Sequence, residues 1–136
     1  MAKEIAKGAE MAGVMTDIKT VDECISADLV NADGIVVGSP TYFSNVAWQI
    51  KKLIDESIVH YDKGRLLRNK IGGCFTSSGT RSDGEDCIRM LELAFGKHHG
   101  LRMLRGIVST AGNGEEEVSK MCRQYGIGIA RQILSG

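Results

Sequence analysis

Gly34-Ile-Val-Val-Gly38-Ser39-Pro40-Thr41-Tyr42-Phe43-Ser44-Asn45, running straight into Val46-Ala-Trp-Gln-Ile-Lys-Lys-Leu-Ile54, is the stretch whose reading decides the fold. Ile35, Val36 and Val37 form a short continuous apolar run, the pattern of a strand covered on both faces. Gly38, Ser39 and Pro40 predict the end of that strand and the start of a short polar and aromatic loop. Val46, Ile50, Leu53 and Ile54 then recur at helical spacing, which predicts a helix with one buried stripe from near Asn45. Strand, loop, helix is the unit that builds ligand crevices at the carboxyl edge of doubly wound sheets. The functional question is what sits against Pro40 to Asn45.

Outward from this stretch, strands and amphipathic helices alternate. Ala2, Ile5, Ala6, Ala9 and Ala12 follow helical spacing from the first residues, and Gly13 suits a helix end. Residues 15–21 read as a poor, partly exposed strand, and Asp22 as the cap of a short helical turn through Ala27 to Val30. Asn31 to Gly34 makes a turn. Residues 60–69 read as a charged, irregular connection. Lys70-Ile-Gly-Gly-Cys-Phe-Thr76 predicts a second buried strand that opens into a polar loop from Ser77 to Ser82, with Asp83 as an N-cap. Cys87, Met90, Leu91, Ala94 and His98 share a helix face that Gly100 stops. Residues 101–109 predict the last strand. Gly112 to Gly114 turn the chain, and Glu115, Glu116 and Glu117 suit the positive end of a closing helix. Val118, Met121, Cys122, Tyr125, Ile129 and Ile133 give that helix its apolar stripe. The sum is a three-layer α/β/α sandwich in one domain spanning residues 1–136.

Composition narrows the function classes. With 17 Lys and Arg against 17 Asp and Glu there is no net charge, so nothing points to nucleic acid or an anionic membrane. No apolar run approaches membrane-spanning length, and no secretory leader opens the sequence. Cys24, Cys74, Cys87 and Cys122 are scattered without a C-x-x-C pair, which predicts reduced, mostly buried thiols and a cytoplasmic location. Six residues separate Cys74 from Arg81 where a phosphate-cradling thiol loop has five, so a thiol phosphatase is not expected. Pairs of residues suited to acid–base work are also lacking, so no catalytic residue is assigned.

The segments Ala32-Asp33-Gly34-Ile35-Val36-Val37-Gly38-Ser39-Pro40-Thr41-Tyr42, Val46 to Asp55, Thr76-Ser77-Ser78-Gly79-Thr80 and Glu115 to Ile133 together resemble the flavodoxin-like superfamily. The nearest branches are its NAD(P)H:quinone reductases and FMN reductases. The resemblance implies a flavodoxin-like parallel sheet and an FMN cofactor. FMN would be held by Ser39, Pro40, Thr41, Tyr42, Phe43 and Asn45 from one loop and by Ser77, Ser78, Gly79 and Thr80 from the other. It further implies an oxidoreductase or electron carrier that passes electrons from NAD(P)H to a quinone or a redox protein partner, working as a homodimer or higher oligomer. A flavin-free binding or assembly module on the same fold is the alternative.

The sequence departs from this family pattern at one end. The family's first strand and its Ser-, Thr- and Gly-rich phosphate loop would lie immediately before residue 1. In the strand order 2-1-3-4-5 that strand separates residues 15–21 from residues 35–39. Either residues 15–21 move inward to pair with 35–39, or a second copy covers the edge. Loss of the phosphate contacts predicts weak FMN binding.

Overall fold

A computed structural model describes all 136 residues. The element order is α1 (Ala2–Met11), α2 (Ser26–Asn31), β1 (Gly34–Tyr42), β2 (Asn45–Val46), α3 (Trp48–Glu56), α4 (Ile58–Asp62) and β3 (Ile71–Ser78). Then come α5 (Arg81–Leu91), a π-helix (Glu92–His98) that continues it, β4 (Arg102–Met103), β5 (Ile107–Thr110) and α6 (Glu115–Ser135). β1 and β3 pair in parallel over seven positions, from Gly34 against Ile71 to Pro40 against Ser77. β4 and β5 both pair in parallel with β3 on its far side. Helices on both faces complete the α/β/α sandwich, as right-handed crossovers between parallel strands require.

Two apolar layers hold the sheet. Ile35, Val37, Cys74 and Val108 point to the α2–α5 face, where Ile50, Leu67, Leu91 and Phe95 meet them. Ile71 lies on the opposite face against Ile5, Cys122, Tyr125 and Ile129 of α1 and α6. The expected stripe on α6 is therefore its buried face. α1 and α6 approach so closely that a Cβ on Gly8 would overlap the Arg123 carbonyl, and one on Gly126 the Ile5 carbonyl.

Several boundaries differ from the expectation. β1 does not stop at Gly38 but runs through Pro40 to Tyr42. Proline is tolerated there because the side of β1 away from β3 carries no strand along residues 34–40, so no ladder donor is lost. β2 pairs only at the tip, Thr41 with Val46 and Tyr42 with Asn45, and the helix begins at Trp48 instead of Asn45. Residues 15–21 form no strand, and they do not move in beside β1. With no neighbour to pair with, this segment runs irregularly, leaving Met15 96% and Ile18 51% exposed. Asp22 caps nothing; α2 starts after Ile25, whose N–H donates to Asp28 Oδ2 at 2.8 Å.

Further along, β3 takes in Ser77 and Ser78, shortening the second loop to Gly79 and Thr80. Thr80, and not Asp83, caps α5, its hydroxyl accepting from Asp83 N at 3.2 Å. Part of the 60–69 connection is helical, since α4 reaches Asp62. Met90 already faces solvent on α5, and the π-turn rotates the helix face after Leu91, so Phe95 and His99 are buried while His98 is exposed. His99 is thus a core residue, with its Nε2 2.8 Å from Ser57 Oγ.

The last strand is interrupted. Gly72 faces Met103 and Phe75 faces Ile107, so Leu104, Arg105 and Gly106 stand opposite two residues, Gly73 and Cys74. This is a β-bulge. The Tyr125 hydroxyl closes it, accepting from Cys74 N at 3.0 Å and donating to the Leu104 carbonyl at 3.3 Å.

Candidate flavin site

The carboxyl ends of β1 and β3 lie side by side, with Ser39 against Thr76 and Pro40 against Ser77. Beyond them β1 turns back into β2 through Phe43 and Ser44, both at positive φ (49° and 63°). A two-residue hairpin with both central residues left-handed matches the twist of its strands. Neither residue is glycine, so the tip carries backbone strain of a kind that clusters at ligand sites. The turn lifts Tyr42 and Phe43 into solvent, 60% and 103% exposed. Two bare aromatic side chains at a crevice mouth offer flat surface for a planar ligand.

Hydroxyl groups fasten the two loops. Thr76 Oγ1 donates to the Ser39 carbonyl at 2.6 Å and lies 2.6 Å from Thr41 Oγ1, whose proton it accepts. Ser44 Oγ donates to Asp83 Oδ1 at 2.8 Å, and Thr80 Oγ1 to Asp83 Oδ2 at 2.9 Å. Asp83 therefore ties the β1–β2 hairpin to the start of α5. The Ser44 and Thr80 hydroxyls hold its carboxyl below the usual carboxylate range.

The expected site residues separate into two groups. Pro40, Thr41, Tyr42, Phe43, Ser77, Gly79 and Thr80 gather at the two strand ends, and a Cβ placed on Gly79 would meet no atom within 4 Å. Ser39, Ser78 and Asn45 are turned to internal use or away. Ser39 is 4% exposed; its hydroxyl accepts from Ala47 N at 2.9 Å and donates to the Pro40 carbonyl at 2.7 Å. Ser78 lies beneath Gly84 of α5, with its Oγ buried and unpartnered. Asn45 Oδ1 accepts from its neighbour Val46 N at 2.7 Å. Thr76, Ser44 and Asp83 are the residues that the sequence did not assign to the site. Only Asp83 had a legible signal, the Thr80-x-x-Asp83 spacing of a capping box.

The donor set fits the ring end of FMN. Strand-end peptide groups, exposed hydroxyls and aromatic faces suit a neutral, flat heterocycle, and the one carboxylate joining the loops has both oxygens already committed. α1 starts without a side-chain cap. Cys74 takes no part. It is fully buried, and burial pushes its thiol up to about 12, far from thiolate chemistry.

The NADPH-dependent FMN reductase family matches residues 2–116. A quinone-type NAD(P)H dehydrogenase of Cupriavidus metallidurans is 29% identical over 124 residues, covering 76% of this chain and 62% of that one. Its counterpart in Bradyrhizobium diazoefficiens is 35% identical over 106 residues, covering 63% and 53%. The chain thus spans little more than half the length of these relatives. The WrbA-like flavodoxin of Agrobacterium tumefaciens superposes with a TM-score of 0.81 at 26% identity, over 98% of this chain and 87% of that one. An archaeal flavodoxin gives 0.82 at 22% identity, which speaks for the fold alone. The chain belongs to the NADPH-dependent FMN reductase family, has the flavodoxin-like fold, and FMN is the cofactor that this membership assigns to it.

Proposed function

We propose that the chain is the flavin-binding part of an FMN-dependent oxidoreductase, with NAD(P)H as electron donor and a quinone or a redox protein as acceptor. One observation carries the reading: two strand-end loops with exposed aromatics and hydroxyls are fastened into one crevice mouth by Asp83. The chemistry supplied by bound FMN is hydride acceptance from NAD(P)H and electron release to the acceptor. The protein's part is to bind and orient. Tyr42 or Phe43 would stack on the ring, and backbone groups of Pro40 (through its carbonyl), Thr41, Ser77 and Gly79 would meet its edge. No side chain of this chain is assigned a proton-transfer role. The 136 residues act as one domain, and a cytoplasmic setting suits the four free thiols. No helix is long and apolar enough to cross a membrane.

The open edge of β1 motivates a further part of the reading. A row of unpaired backbone groups along residues 34–40 is a template for strand addition. A second copy pairing the same edge about a two-fold axis gives a homodimer with a continuous sheet. Sedimentation at micromolar concentration is expected to give the dimer, and a clean monomer contradicts it. The same open edge also favours the second reading, a flavin-free assembly module. FMN titration by fluorescence quenching separates the two. Saturable quenching that Asp83→Ala weakens severalfold supports the flavin site, and absence of any quenching supports the module.

A further inference from the structure

A second concavity, about 640 Å³ and open on one side, lies between α5 with its π-helix and the edge strand β4–β5. Arg81, Glu85, Arg89 and Glu92 recur along one helix face and form its first wall, and Arg105 stands on the other. Its floor is apolar, with Ile88 and Val108 from the core. The volume falls in the range of small-molecule sites, roughly 300–1,000 Å³.

The bulge sets the position of Arg105. Leu104 packs into the α6 layer, and Gly106 fits where a Cβ would lie 2.7 Å from both Cys74 Sγ and Ile88 Cγ2. Arg105 is the extra residue, left unpaired and exposed, the re-aiming that bulges produce. Glu92 Oε1 holds the turn from the helix side by accepting from Gly106 N at 3.1 Å, opposite the Tyr125 bridge.

Two of the cationic groups around the cavity have no ion-pair partner. Glu92 keeps its charge but is held to the backbone by Gly106 N, and Arg89 pairs with Asp86 at 3.2 Å. Arg81 and Arg105 have no carboxylate within the 4.0 Å of an ion pair. Glu85 is the one uncommitted anion of the lining. Guanidinium groups recognise oxyanions through two parallel N–H bonds, while the floor rewards an apolar body. We propose that this groove is a binding site for a small amphipathic oxyanion, a flat apolar body carrying one carboxylate, sulfonate or phosphate, gripped by Arg81 and Arg105. The groove's lining includes none of the flavin-crevice residues, with Arg81 adjoining Thr80 where the two meet.

The test compares two fluorescent probes of the same shape, 8-anilinonaphthalene-1-sulfonate and its uncharged parent N-phenyl-1-naphthylamine. The sulfonate is expected to saturate one site per chain. Arg81→Gln and Arg105→Gln each weaken it about tenfold or more, the worth of a charged hydrogen bond. Glu85→Gln tightens it by up to about fivefold, as removal of an exposed like charge does. The uncharged probe responds to none of these changes. Both arginines are exposed and unpaired, so the variants keep the fold, which circular dichroism verifies. Sulfonate binding indifferent to both arginine variants overturns the proposal. Displacement of the sulfonate by riboflavin also overturns it, because that places the probe in the flavin crevice.

Discussion

Tyr125→Phe removes one oxygen atom and keeps the ring. That oxygen accepts from the buried Cys74 N–H at 3.0 Å and donates to the Leu104 carbonyl at 3.3 Å. In the bulge neither group has another strand to turn to. A buried donor left unsatisfied costs about 1–3 kcal/mol, and the longer bond to the carbonyl adds about 0.5–1 kcal/mol. The ring stays packed against Ile129 and Ile71, so no cavity term enters. The expected loss is about 2–3 kcal/mol, or about 7–10 °C in Tm for a chain of this length. Urea unfolding followed by circular dichroism gives the free energy directly, with an unchanged slope showing that the unfolded state is not the cause. A loss under about 0.5 kcal/mol refutes the reasoning, since it means that water or a shifted strand satisfies the bulge.

Gly126→Ala pits helix propensity against contact. Alanine gains roughly 1 kcal/mol in a helix, but its Cβ would overlap the Ile5 carbonyl and sit 2.9 Å from Ala9 N. Displacing a helix backbone costs about 3 kcal/mol, so thermal unfolding should show a net loss near 2 kcal/mol, and a stabilised variant contradicts the α1–α6 packing. His99 has its pKa lowered by burial first, then by the charges of His60, Arg65 and His98. The unfolded chain therefore takes up this proton first as pH falls, and stability declines below about pH 6.5 towards the lower folded value. His99→Gln should flatten that slope between pH 7.5 and 5; an unchanged slope assigns it elsewhere. Of four thiols, only the half-buried Cys24 should react with Ellman's reagent in the folded state, the buried three reacting after urea. Rapid reaction of Cys74 would contradict its burial.

The parts of this fold that were legible in the sequence are those set by periodicity. Ile35–Val37, the Ile71 to Thr76 run and the stripe from Val118 to Ile133 each have one physical solution, a buried strand or a helix with one buried face. What stayed hidden depends on neighbours distant in sequence. Pro40 reads as a strand breaker, yet it is accommodated because the edge beside it is open. Residues 15–21 have the composition of a strand and lack only a partner. The π-turn at Glu92 and the bulge at Arg105 each shift a face by one residue, which no average period reports. At the candidate site, the resemblance pointed to Tyr42, Ser77, Gly79 and Thr80, which do lie at the strand ends, and to Ser78, which is turned under Gly84. Ser39 could not be read as an internal staple, because its acceptor role toward Ala47 N depends on a hairpin that the sequence does not announce.

We propose that the crevice at the ends of β1 and β3 holds the flavin ring through contacts that FMN and riboflavin share. Three charge-assisted hydrogen bonds to a phosphate are worth roughly 4–9 kcal/mol, about three to six decades of affinity. Titrating FMN and riboflavin side by side against the 136-residue chain, by flavin fluorescence quenching, measures that term directly. The account predicts saturable binding of both, in the micromolar to millimolar range, with affinities within about threefold of each other. Tight FMN binding with strong rejection of riboflavin would contradict it, because some group of this chain or of a second copy would then be holding the phosphate.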